Sequence, residues 1–421
     1  MSCHRREDKQ TVVKPMPQPS VRHVFVFLEI FSCEGGIQSY VKDILRAYDE
    51  AVTAEGSQQS QADVLLLRDG PDCPNPWATS PAFRFHYLKS SLPQLGRGRL
   101  AIALLRVLLL RRPARVFCGH IKLAPLVRSL CQLTGTPYTV LTYGKEVWEP
   151  LPPRSQQALQ QADTVWTISR YSRDRACRAN HLDPAQFRMV PCAVDGALFT
   201  PGPKSAELVA RYGLANARVL MTVARLWSGD IYKGVDVTIR ALPAILRAFP
   251  DVKYLVIGRG DDQPRLARLA AEMGVADRVI FAGFVPTEAL VDHYRLADAY
   301  VMPSQEGFGI VYLEALACGV PVLAGDDDGS ADPLQDGRLG WPVPHRDPEA
   351  VAAACCEILA GQDRRCDGPW LRQEALKVFG KEAFRRCVVR LLEPIPPAAD
   401  PKNRSPIEAV SSRSASSGDR P

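Results

Sequence analysis

Two carboxylates with seven residues between them, Glu306 and Glu314, bracket Gly307-Phe308-Gly309 and the apolar run Ile310 to Leu313. The first sits on a Gly-Phe-Gly loop, whose glycines let backbone amides come close to a ligand. The second falls inside the helix that the run predicts. A helix start carries partial positive charge, so loop and helix together suit an anionic ligand. The same apolar residues, with Leu316 and Ala317, also make an ordinary buried helix face whatever the glutamates do.

A pair of cations lies upstream. The strand predicted over Val219 to Val223 runs into Ala224-Arg225-Leu226, and after a short loop Lys233-Gly234-Val235-Asp236 opens a helix. A guanidinium fork and an ammonium converging there can clamp a diphosphate; alone they also read as surface cations. Gly258-Arg259-Gly260 makes a glycine turn after a strand, a weak donor-binding signal at Gly258 that lacks the third glycine of a dinucleotide motif. The segment Phe281 to Pro286, including Val285, offers backbone groups and an apolar wall to a nucleobase. In the first half, Gly35 and Gly36 form a strand-to-helix turn where amides could meet a phosphate or sugar hydroxyls, or simply close a tight turn. His120 falls just past the strand Val116 to Cys118, and Tyr143 and Glu146 occupy the same place one strand later.

Positioning these side chains takes alternating strands and helices. Strands are predicted at Val24 to Ile30, Asp63 to Leu67, Val116 to Cys118, Tyr138 to Tyr143 and Thr164 to Ile168, with a helix from Ile37 to Tyr48. After a linker, Val194 to Pro203, a second series follows at Val219 to Val223, Tyr254 to Ile257, Val279 to Phe281, Ala299 to Met302 and Val320 to Leu323. One helical stretch is predicted from Leu371 to Leu392. The pattern is α/β: two doubly wound, Rossmann-like domains facing a central cleft. The boundaries expected are a disordered N-terminus over 1–20, a first domain over 21–195, a second over 204–380, a helix over 381–395 returning toward the first, and a disordered tail over 396–421.

At 421 residues, 46% hydrophobic and 23% charged, the chain can fill two cores. The polar, proline-bearing start has no secretory h-region, and Leu100 to Leu110, broken by Arg106, is too short to span a bilayer. A cytoplasmic protein is expected. The twelve cysteines are scattered without metal-ligand spacing, so neither a zinc site nor a disulfide framework is indicated. Net charge is only +6, yet ten lysines and arginines and no acid lie between Cys73 and Gly144. This basic stretch suits an anionic membrane surface, or else its leucines are a core face and its arginines are solvated. Without an interleaved aromatic platform or a recognition motif, nucleic acid is not expected. Asp326-Asp327-Asp328 contains an Asp-x-Asp that binds metal in other settings; here, after a strand, it reads as a solvated loop, and no metal is expected.

Taken in order, Gly35-Gly36, His120, Tyr143 to Glu146, Pro191 to Asp195 with Phe199, Arg225, Lys233-Gly234, Glu306 to Glu314 and Ala317 to Val322 resemble family 4 glycosyltransferases. The resemblance covers nearly everything from Val24 to Pro394. It implies a GT-B fold and transfer of a sugar, with retention of configuration, from a UDP- or GDP-type nucleotide sugar. No cofactor or metal is implied. By the same resemblance, Arg225 and Lys233 hold the donor diphosphate with Gly36 beside it. Glu314 takes the ribose, Glu306 and the Gly307 to Gly309 amides take the sugar ring, and His120 contacts the transferred sugar. The first domain receives the acceptor in that fold, and its basic character favours a carbohydrate or lipid-linked one, as in polysaccharide or glycolipid assembly, at the inner face of a membrane. The chain departs from the family pattern at Tyr143-Gly144, where many members have His-Gly, and in the inserted segment Trp227 to Tyr232. A GT-B sugar phosphorylase or epimerase, or a non-catalytic sugar-nucleotide-binding protein, are the competing readings.

Overall fold

A computed structural model describes residues 22–33, 35–54 and 61–392; the disorder expected over 1–20 and 396–421 lies outside the described residues. The first sheet contains β1 (His23–Phe27), β2 (Ala62–Leu66), β3 (Phe83–Tyr87), β4 (Arg115–Cys118), β5 (Tyr138–Thr142), β6 (Thr164–Thr167) and β7 (Phe187–Met189). The second contains β8 (Arg218–Val223), β9 (Val252–Ile257), β10 (Val279–Gly283), β11 (Ala299–Met302), β12 (Val322–Gly325) and β13 (Trp341–Val343). Every pairing among these strands is parallel. Central strands such as β1 and β2 are buried along their whole length, which is why they read as continuous apolar runs.

The helices are α1 (Gly36–Ala54), α2 (Pro93–Arg111), α3 (Ala124–Thr134), α4 (Pro153–Gln160), α5 (Arg170–Asn180), α6 (Ala206–Arg211), α7 (Val235–Ala248), α8 (Gln263–Glu272), α9 (Thr287–Tyr294), α10 (Ile310–Ala317), α11 (Pro348–Ala360), α12 (Gly368–Phe379) and α13 (Lys381–Leu392). None among the described residues is long and apolar enough to cross a membrane.

Strand order is 3-2-1-4-5-6-7 in one sheet and 10-9-8-11-12-13 in the other. The order therefore reverses between β1 and β4 and between β8 and β11. At such reversals the flanking helices part on opposite faces, leaving a crevice at the carboxyl ends of the strands. The turn after β1 carries Gly35-Gly36, β4 leads to His120, β8 leads to Arg225, and β11 leads to Glu306.

The helical stretch expected from Leu371 to Leu392 is two helices. Gly380 interrupts it with an extended backbone, at a point where a Cβ would lie 2.6 Å from the Leu376 carbonyl oxygen. There Gly380 bridges to Val194, and the Val194 amide donates to the Phe379 carbonyl at 2.9 Å. Arg372 ties this crossing together, donating to the carbonyls of Phe199 and Gly196 at 2.6 Å each. Past Gly380, α13 packs on α1 with the Phe384 ring edge-on to Tyr40, 5.9 Å between centroids.

Candidate active site

The inserted segment between Arg225 and Lys233 is a compact 3-10 turn, Ser228–Lys233, held against the end of β11. Gly234, at φ 74°, passes so close to Pro303 that a Cβ would lie 2.3 Å from its carbonyl oxygen. The Gln305 amide also donates to the Tyr232 carbonyl at 3.1 Å. This seating delivers Lys233 to Glu306, and the two side chains form an ion pair. Arg225 remains largely exposed, its Nη2 2.7 Å from the Oδ2 of the buried Asp230. Both cations thus face carboxylates of the chain itself.

Glu306 is fixed from behind. Its amide donates to Asp328 Oδ2 at 2.6 Å, while Asp328 Oδ1 accepts from the Ser330 amide at 2.7 Å. The solvated loop expected over Asp326 to Asp328 is corrected here. Asp326 and Asp327 are exposed, but Asp328 is 3% exposed and organises the Glu306 loop. Burial pushes its carboxyl up to about 7. Gly309, at φ 88°, turns the chain into α10. The Phe308 ring does not face a ligand. It is buried against Phe379, centroids 5.9 Å apart, so only its backbone is left to the loop. On α10, Glu314 accepts from the Tyr294 hydroxyl at 2.7 Å, and burial pushes its carboxyl up to about 7.

Gly258 also differs from the expectation. The close approach it permits is to the chain itself, because a Cβ would lie 1.8 Å from the Ala224 carbonyl oxygen. It thereby lets the Arg259 loop lie on the segment carrying Arg225, where the Leu226 amide donates to the Arg259 carbonyl at 3.1 Å. Val285 is a partly buried wall residue. The exposed ring beside it is Phe284, with the Arg259 guanidinium 4.7 Å from its centroid, a pair the sequence reading did not single out.

In the first half, His120 caps the short turn Ile121–Leu123, its Nδ1 accepting from the Lys122 amide at 3.0 Å. The ring proton is therefore on Nε2. Burial, then Lys122 and Arg68, push its pKa down to about 4, so it is a neutral donor at pH 7. It lines a cavity of about 190 Å³ with Gln38, Arg68, Gly119 and Lys122. Gly36 opens α1 with no atom within 4 Å of where its Cβ would be, and the Gly35 carbonyl accepts from the Ser39 amide. Asp69 steadies the approach to this turn by accepting from the amides of Ile30, Phe31 and Ser32.

Tyr143 is buried, and one oxygen of Glu146, expected with Tyr143 as a donor or acceptor contact, is taken by its own loop. The Tyr143 hydroxyl donates to the Gly119 carbonyl at 2.8 Å within the core, and Glu146 Oε1 accepts from the amides of Tyr143 and Gly144. They hold loops. Tyr143 anchors the His120 loop, and Gly144 brings that anchor close to the Gly307 backbone. The residue missed is Lys145. Its Nζ stands 3.5 Å above the Tyr232 ring, and burial lowers its pKa while Asp230 and Glu306 oppose that. It stands inside the Tyr143 to Glu146 segment of the sequence, but nothing there aimed it across the cleft.

Two further contacts join the halves. Ser169 Oγ donates to the Gly307 carbonyl at 2.6 Å. The Arg170 guanidinium spans Asp332 and Asp336, with Nη2 2.7 Å from Asp336 Oδ1.

Residues 217–361 match the family described as glycosyl transferases group 1. Over those residues the second half of this chain is similar to that family. The fold of the whole chain is GT-B. HepE of Anabaena, solved with UDP, superposes with a TM-score of 0.70 at 18% identity, covering 88% of this chain and 99% of HepE. Sucrose-phosphate synthase of Thermosynechococcus elongatus gives 0.67 at 23%, covering 88% and 98%. Among curated relatives, the GDP-mannose-dependent alpha-(1-6)-phosphatidylinositol monomannoside mannosyltransferase of Mycolicibacterium smegmatis is 38% identical over 237 residues, 53% of this chain. That match spans 61% of the relative's own length. A GDP-mannose-dependent monoacylated phosphatidylinositol monomannoside mannosyltransferase of Corynebacterium glutamicum is 28% identical, covering 79% of this chain and 87% of the relative.

Proposed function

We propose that the protein is a retaining hexosyltransferase that moves a sugar, of the mannose class, from a GDP- or UDP-type nucleotide sugar to a hydroxyl of a glycolipid. The observation carrying this is the convergence of Arg225, Lys233 and Glu306 at one strand-order reversal, bridged through Tyr143-Gly144 to His120 at the other. The relatives' names supply the mannosyl and glycolipid classes.

In this reading the C1–O bond to the diphosphate breaks as an oxocarbenium-like centre develops, and the acceptor oxygen bonds to C1 on the same face. The acceptor proton passes to the departing phosphate oxygen. Arg225, Lys233 and Lys145 stabilise the leaving nucleoside diphosphate, which makes a metal unnecessary. Neutral His120 donates from Nε2 to the sugar, and Glu306 and Glu314 hold hydroxyls without attacking.

The setting we propose is the cytoplasmic membrane face. On α2, Leu100, Leu104, Val107 and Leu108 enter the core, while Leu95, Ile102, Leu109 and Leu110 are exposed beside Arg99 and Arg106. One face of the helix is thus core, and the opposite face is left exposed. An exposed apolar and cationic stripe suits anionic headgroups.

The test is a panel of nucleotide sugars incubated with a membrane lipid extract, with and without EDTA. Labelled glycolipid formed from GDP-mannose or a UDP-hexose, with the α-anomer retained and no loss in EDTA, is expected. Sugar phosphate as product, or donor binding with no transfer to any lipid, overturns the reading.

A further inference from the structure

A second cavity, of about 250 Å³, opens beside the one at His120, and the two share Leu28, Arg68 and Lys122 in their walls. It gathers four cations, Arg68, Lys89, Arg97 and Lys122, with Ser90 and the first turn of α2, and no carboxylate lines it. Among the described residues Arg68 has one ion-pair partner, Glu29 at 3.1 Å. Lys89, Arg97 and Lys122 have none. The start of α2 has neither an acidic residue in its first turn nor a side-chain cap, so its dipole adds charge of the same sign. Four like charges around one concavity repel unless an anion sits among them.

We propose that this cavity takes a phosphate ester carried by the acceptor, placing the hydroxyl to be glycosylated beside His120. The assignment rests on the transferase reading above. The phosphate belongs either to a soluble polyol phosphate or to a phospholipid headgroup, whose chains would leave along the exposed Leu92 and Leu95.

The test uses the full chain with UDP and GDP in excess, so that the nucleotide site is filled. Calorimetry then follows glycerol 1-phosphate and, separately, dibutanoyl phosphatidylinositol as a monomer. At least one probe should bind, and the double variant Lys89→Gln, Arg97→Gln should weaken it at least tenfold. Arg106→Gln with Arg112→Gln, on the same helix and at its C-terminal cap, both outside the cavity, should leave it within twofold. Binding of both probes marks a soluble acceptor; binding of the lipid alone marks a headgroup site. No binding by the wild type, or equal loss in both double variants, overturns the proposal. If the wild type binds no nucleotide yet still binds a probe through Lys89 and Arg97, the transferase reading fails and the anion site stands.

Discussion

Lys233 and Glu306 neutralise each other where the ends of β8 and β11 meet, with side chains 18% and 16% exposed. In the proposed reaction an incoming diphosphate draws the ammonium away, and that frees the carboxylate for the sugar. Lys233→Ala should lower turnover on the order of a hundredfold or more with the fold intact by circular dichroism. Glu306→Gln should leave bare nucleoside diphosphate binding unchanged or tighter, while the nucleotide sugar loses about tenfold. Calorimetry separates the two; equal losses for both ligands would remove Glu306 from the sugar subsite.

Glu314 carries a trade-off between stability and binding. Its folded pKa is raised by burial from 4.5 to about 7, so the folded state holds the proton more tightly than the unfolded chain. That contribution is full below about 4.5 and is lost as pH rises through about 7. Glu314→Gln should therefore melt higher than the wild type at pH 8 without nucleotide, match it at pH 5, and bind nucleotide about tenfold more weakly. Melting curves at both pH values, with and without nucleotide, check all three outcomes.

His120 is a donor without a charge. With its pKa lowered to about 4, the turnover profile between pH 5.5 and 8 should show no inflection from this ring. His120→Ala should cost about a hundredfold in turnover, and His120→Gln, which keeps an N–H donor, less. A lowered folded pKa contributes stability above the unfolded value of 6.5 that is lost as pH falls through about 4. His120→Gln should thus withstand acid better than the wild type in a pH titration followed by tryptophan fluorescence.

Arg170 holds the cleft shut through Asp332 and Asp336 on the opposite half. It is 45% exposed, so Arg170→Ala should fold normally. Nucleotide affinity should change less, since Arg225, Lys233 and Glu314 lie together in one half and only Lys145 reaches over from the other, while turnover falls about tenfold. Small-angle scattering should show a larger radius of gyration; an unchanged radius with unchanged turnover would make the contact incidental.

Membrane contact is read from α2. Ile102→Ser with Leu109→Ser removes exposed apolar area, leaving the core face intact, and should reduce flotation with anionic liposomes several-fold at low salt. High salt should release the wild type as well.

The central strands were legible because burial on both faces writes an uninterrupted apolar run. The three strands without a sequence counterpart, β3, β7 and β13, all end a sheet. β3 reads Phe-Arg-Phe-His-Tyr with one face half open, and the other two are three residues long, too short for a period. Arg225, Lys233, Glu306 and His120 could be placed at strand ends because each follows a strand that could be read. Asp328 and Lys145 were not, because their roles come from packing. One is buried beneath a loop that it orients, and the other is aimed at an aromatic ring on the far half. The loop-holding bonds of Tyr143 and Glu146 were hidden for the same reason, since an exposed loop composition concealed those to Gly119 and to the loop's own amides.

The bridge between Val194 and Gly380 means that the polypeptide passes from one half to the other and back at a single place. One connection would let the halves swivel in any direction. Two lying side by side restrict opening to rotation about the line they share, so the cleft has one path between open and shut. A protease cut in 201–204 should then leave a single particle on gel filtration, because α13 still clasps α1 and the return strand still carries the second half.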